Sequence, residues 1–134
     1  MTSDAAMPRK KRAKPFAANA ASTKKLEAEG WTCCTVEQTI PRCFIKRDAF
    51  NFADILACSP TRGIALIQST GGGNGPARVA KVRAEVRAAI WLCAGGRILV
   101  HDWIKRRGVA GRVCRVWEIF LVDGVVTPRE QAGY

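Results

Sequence analysis

At 134 residues, with 22 Lys and Arg against 11 Asp and Glu, the chain carries a formal charge of +11 and fits one domain with a modest core. A basic surplus this large suits a polyanionic partner, with nucleic acid ahead of an anionic membrane surface. No uninterrupted apolar run approaches the ~20 residues that span a bilayer, and no apolar stretch follows the basic N-terminal residues, so neither a membrane span nor a secretory signal is expected.

Residues 1–16 read as a disordered arm, because PRKKRAKP (8–15) has five positive charges and no apolar period. In a eukaryote such a run would serve as a nuclear localisation signal. In a bacterium or phage it would be a tail touching phosphates. Residues 17–30 read as a helix stopped by Gly30, and 31–40, rich in Thr, Val and Cys, as a strand. A basic loop (41–51) carries Arg42, Lys46 and Arg47. Two further strands are expected at 52–58 (FADILAC) and 64–70 (IALIQST), joined by a turn at 59–63.

The glycine-rich stretch 71–76 lacks the lysine and hydroxyl of a P-loop and reads as a flexible connection. Over 77–94 the period changes to about 3.6, with Val79, Val82, Val86, Ile90 and Cys93 on one stripe and Arg78, Lys81, Arg83 and Arg87 flanking it. Strands at 97–103 and 112–122 follow, around a basic turn, Lys105-Arg106-Arg107-Gly108. The residues after Gly124 read as a loose tail. The predicted domain is therefore 17–123, with the order α-β-β-β-α-β-β.

Six cysteines (33, 34, 43, 58, 93 and 114) include no CxxC, and His101 is the only histidine. Reduced, mostly buried thiols in a cytoplasmic protein are expected, not a disulfide scaffold or a zinc site. A lone histidine alternating with apolar neighbours is read as a structural or surface residue, and no Ser or Cys nucleophile has an evident base. The four tryptophans are read as core anchors, with Trp103, beside Lys105–Arg107, the one placed to stack on a base.

An acid inside an apolar strand is costly to bury and needs a reason. Asp54 in FADILA is such a residue. Gln68 and Thr70, two apart on the next strand, project from one face. A hairpin across 59–63 would bring Asp54 beside them, and Glu37 on the first strand would complete the cluster. The bland alternative has Asp54 capping a turn or pairing with Arg62 or Lys46.

This layout, with an aspartate on the second strand and a polar-x-polar pair ending the third, resembles the PD-(D/E)XK nuclease superfamily. In particular it resembles the small Holliday-junction-resolvase-like members of phages and bacteria. The similarity covers roughly residues 20–121 and is densest from Lys46-Arg47-Asp48 through Asp54-Ile55-Leu56 to Gln68-Ser69-Thr70. The resemblance implies a restriction-endonuclease-like αβββαβ core, α/β in class, with a mixed central sheet flanked by helices.

It also implies an Mg²⁺ or Mn²⁺ cofactor held by Asp54, Gln68 and the Ser69 carbonyl, with Glu37 assisting, and no small-molecule cofactor. Gln68 stands where the family has its second acid and Thr70 where it has its lysine. Arg42, Lys46, Arg47, Arg78, Lys81, Lys105, Arg106 and Arg107 would contact DNA. A homodimer would cut branched or structured DNA symmetrically. Two alternatives stay open: a DNA-binding module on the same fold with weakened or no catalysis, and a basic structural protein that binds RNA.

Overall fold

A computed structural model describes residues 15–36, 38–40 and 45–131. Helix α1 (Ala18–Ala28) leads into strand β1 (Thr32–Thr35) and a short hairpin of β2 (Gln38–Ile40) and β3 (Ile45–Arg47). Strands β4 (Ile55–Ser59) and β5 (Gly63–Gly71) follow, then helices α2 (Gly75–Ala84) and α3 (Val86–Cys93). The described chain ends with β6 (Arg97–Lys105), β7 (Arg112–Val122) and β8 (Val125–Glu130).

Six strands form one mixed sheet in the order β1-β4-β5-β6-β7-β8, and β2 and β3 pair apart from it. Every neighbouring pair in the sheet is antiparallel except β5 and β6. A parallel pair needs a crossover connection, which α2 and α3 supply. The class is therefore α/β, with a mixed sheet flanked by helices.

Alternation along the strands separates two cores. Ala65, Ile67 and Leu99 pack with Leu26 and Trp31 on the α1 side. Leu66, Ile98 and Val100 pack with Val79, Val82 and Ala88 on the side of α2 and α3. No helix among the described residues is long and apolar enough to cross a membrane.

Several elements differ from their sequence expectation. The strand foreseen at 31–40 is split, because β4 begins only at Ile55 and can pair with four residues of β1. The chain then turns to a partner inside the expected basic loop, Gln38–Ile40 against Ile45–Arg47. The second expected strand starts three residues late. Phe50 and Asn51 take left-handed φ values of 52° and 65°, which makes a tight turn closed by the Ala49–Ala53 bridge.

The long helix is broken. Glu85 is extended (φ −89°, ψ 114°), and its carboxylate accepts the Arg87 amide at the start of α3. The break rotates the apolar face: Val79 and Val82 stay buried, whereas Val86 and Ile90 are 72% and 63% exposed. Ala88, Trp91 and Leu92 take their place against the core.

Past Gly124 the chain is not a loose tail. Asp123 and Gly124 adopt φ of 50° and 77°, and β8 pairs with β7 in register from Val122↔Val125 to Trp117↔Glu130. The sheet thus extends beyond the predicted domain boundary. The five described cysteines are free thiols, but only Cys114 is buried. Cys34 lies on the edge strand β1, Cys58 near the end of its neighbour β4, and Cys93 follows the rotated face of α3.

Candidate metal and nucleic-acid site

Asp54 is fixed before its strand formally begins. Its amide donates to the Ile67 carbonyl and its carbonyl accepts from the Val36 amide, both at 2.9 Å. The β4–β5 register then sets it opposite Gln68. Both side chains are buried, and Asp54 Oδ2 accepts Gln68 Nε2 and the Ser69 amide, each at 2.9 Å. Strand alternation thus unites the aspartate and the glutamine as expected.

The amide orientation that satisfies Asp54 leaves Gln68 Oε1 buried and without a hydrogen-bond partner. A buried carbonyl in that state costs about 1–3 kcal/mol, which a bound cation or water would offset. Asp54, Gln68 and Ser69 line an open cleft of about 510 Å³ with Phe16, Asn19, Asp48 and Arg78. Thr70 sits farther along β5, in register with Asp102, and does not line the cleft. Glu37 lies outside the described residues.

Asp48 and Asn19 were missed by sequence reasoning. Asp48 stands in a stretch read as a basic loop, near the opening of the run of closest resemblance, but was given no role, and Asn19 reaches the cleft because α1 begins there. The carboxylate of Asp54, the amide oxygen of Gln68 and the carbonyl of Ser69 are hard oxygen donors of the kind Mg²⁺ prefers. They fit such an ion in donor type, with a single charge among them, but here Gln68 Nε2 faces both Asp54 Oδ2, at 2.9 Å, and the Ser69 carbonyl, at 3.4 Å, so the amide must turn over to present its oxygen. Among the described residues no group of three or more His, Cys, Asp and Glu could hold a metal.

Behind the cleft, Ser69 and His101 extend from adjacent strands toward α1 and meet Ser22, which is fully buried. Ser22 Oγ lies 2.7 Å from Ser69 Oγ and 2.9 Å from His101 Nδ1, and accepts Trp103 Nε1–H at 2.9 Å. Because the indole can only donate, the single Ser22 proton goes to Ser69 or to His101, and the other must donate back. Burial, and secondarily the nearby Lys25 charge, pushes the His101 imidazole down to about 3, so it is neutral. It is structural, as its sequence context suggests. The Cys114 thiol is pushed up to about 12, mainly by burial, and is not a nucleophile.

The glycine-rich connection is anchored rather than loose. Asp102, fully buried on β6, accepts the Gly73 amide on Oδ1 at 3.2 Å and the Gly75 amide on Oδ2 at 2.9 Å. This carboxylate, which the sequence reading passed over, stabilises the first turn of α2.

The cations divide. Arg78 lines the cleft, whereas Lys81 faces Asp48 at 3.8 Å. Arg47 is exposed at the end of β3, Lys105 is exposed at the end of β6, and Arg106 and Arg107 are exposed in the turn that follows. Lys46 lies on β3, and Arg42 is outside the described residues. Arg62, offered as a partner for Asp54, instead lines a separate cavity with Arg97 and His101. No family model, curated protein or solved structure matches this chain.

Proposed function

We propose that the chain is an Mg²⁺- or Mn²⁺-dependent nuclease of PD-(D/E)XK type that acts on structured DNA as a homodimer. One observation carries the reading: a buried Asp54–Gln68 pair, with an unpartnered amide oxygen, in an open cleft on a +11 chain. The connectivity supports it as well. Three antiparallel strands, β1, β4 and β5, lead through a helical crossover to the parallel strand β6, the order implied for an αβββαβ core. In open α/β sheets, ligands favour the carboxyl ends of such parallel strands, and Gln68 and Ser69 lie near that end of β5.

In this reading Asp54, the Gln68 amide oxygen after its amide turns over, and the Ser69 carbonyl would hold the ion. A bound divalent cation would polarise the phosphodiester and lower the pKa of an attacking water. The Ser69 amide orients the Asp54 carboxylate, Gln68 Nε2 holds it while no ion is bound, and Arg78 supplies positive charge at the cleft in place of the family's lysine.

A DNA-binding module without catalysis is the second reading. It is favoured by Thr70, which stands at the lysine position and does not line the cleft.

Incubating the full chain with plasmid and four-way-junction DNA, in Mg²⁺ or Mn²⁺, beside Asp54→Ala, separates the possibilities. Cleavage that disappears in the variant supports the nuclease. Retarded but uncut DNA supports the module, and a preference for RNA points to a structural RNA-binding protein.

A further inference from the structure

The Asp54 cleft has an aromatic wall that the metal reading does not use. Phe16, just before α1, is 41% exposed and lines the cleft with Asn19, Asp54 and Arg78. The ring is held from behind. The Arg112 guanidinium lies 4.4 Å from its centroid, and Arg112 Nη1 donates to the Trp103 carbonyl at 3.2 Å. The Trp103 ring packs at 5.9 Å, tilted by 49°, and is itself fixed by its bond to Ser22.

Gly71 makes room for this stack. A Cβ there would come within 3.2 Å of the Trp103 carbonyl and 3.3 Å of Arg112 Nη1. Beyond the stack, Arg112 and Lys105 line a neighbouring groove of about 410 Å³ with Gly72 and Gly73. Arg78 on the cleft side and Lys105 on the groove side therefore bracket a braced, partly open aromatic ring.

Cations spaced along a surface follow a phosphate backbone, and an aromatic face between them takes a base irrespective of its identity. A base still paired inside a continuous duplex presents no free face to such a ring. We infer that Phe16 is the stacking platform for an unpaired base of the strand lying in the Asp54 cleft, so that the preferred ligand is nucleic acid carrying a single-stranded segment. This rests on the nucleic-acid reading above and adds the class of substrate to it.

Binding measured in EDTA isolates the stack from any cleavage. Fluorescence anisotropy of the full chain would compare a blunt DNA duplex with the same duplex carrying a single-stranded overhang, for wild type, Phe16→Ala and Phe16→Trp. Wild type should prefer the overhang. Phe16→Ala should lose roughly tenfold in affinity for it and little for the blunt duplex, while Phe16→Trp keeps the preference. Equal binding of both DNAs by wild type, or an equal loss on both in Phe16→Ala, overturns the stacking role and leaves the nucleic-acid reading standing. No DNA binding by wild type overturns the stacking role and the DNA-nuclease reading it rests on.

Discussion

The Gly75 amide donates to Asp102 Oδ2 at 2.9 Å, so the first turn of α2 is anchored by a carboxylate from the strand beneath it. The same closeness leaves no space for a side chain. A Cβ on Gly75 would meet Trp117 Cη2 at 2.5 Å and Asp102 Oδ2 at 2.8 Å. Gly75→Ala should therefore lower stability by about 2–3 kcal/mol in urea unfolding. Asp102→Asn, which keeps the shape but loses the charge and one acceptor, should lose about 1–2 kcal/mol. Near-wild-type midpoints for both would argue against the anchor.

Ser22 ties α1 to β5 and β6 through three polar groups. Ser22→Ala would leave the Trp103 indole N–H and at least one more buried group without a partner. About 3 kcal/mol should be lost, seen as a melting temperature lower by roughly 10 °C. An unchanged melting curve would mean the network contributes nothing.

His101 makes stability depend on acidity in a definite direction. Its folded value, about 3, lies below the ordinary 6.5, so the folded state excludes a proton that the unfolded chain accepts. The full contribution is present above pH 6.5 and declines as pH falls from 6.5 toward 3, by about 1.4 kcal/mol per unit. As the sole histidine, its NMR ring resonances report this directly. They should stay at the neutral position at pH 5, and titration near 6.5 would contradict the burial.

Gln68→Glu tests the oxygen-lined pocket without any DNA. A second carboxylate beside Asp54, in a site where both residues are buried, would raise the pKa of one of the two. The folded state would then hold a proton that the unfolded state releases, so the variant should lose stability as pH rises through the raised value. Magnesium should reverse that loss, raising the melting temperature of Gln68→Glu by several degrees more than that of wild type. Equal magnesium responses would remove the case for an ion between these residues.

Period-two alternation is strict, so the shared face of Asp54 and Gln68 was legible before any coordinates, as was most of the sheet-forming sequence. The α2–α3 break was not. Val79, Val82, Val86 and Ile90 fit one helical stripe, and only the extended backbone at Glu85, a tertiary outcome, moves the last two into solvent. The β7–β8 hairpin was legible and overlooked, since LVDGVV sets Asp-Gly between apolar residues. Phe16 and Asn19, at the start of α1, and Asp48, after β3, reach the cleft from distant segments of the chain, and spacing along a sequence carries no record of such a meeting.

Strand β8, last in the strand order, contains Pro128, which lies opposite Ile119 and has no amide to offer. Proline is tolerated in a sheet where a neighbour is missing, and there it interrupts the row of donors that another strand would use. Arg129 and Glu130 add charge beside it. The sheet is thereby blunted against growth on that side. Strand-to-strand stacking of copies along the β8 edge is disfavoured even in concentrated solution.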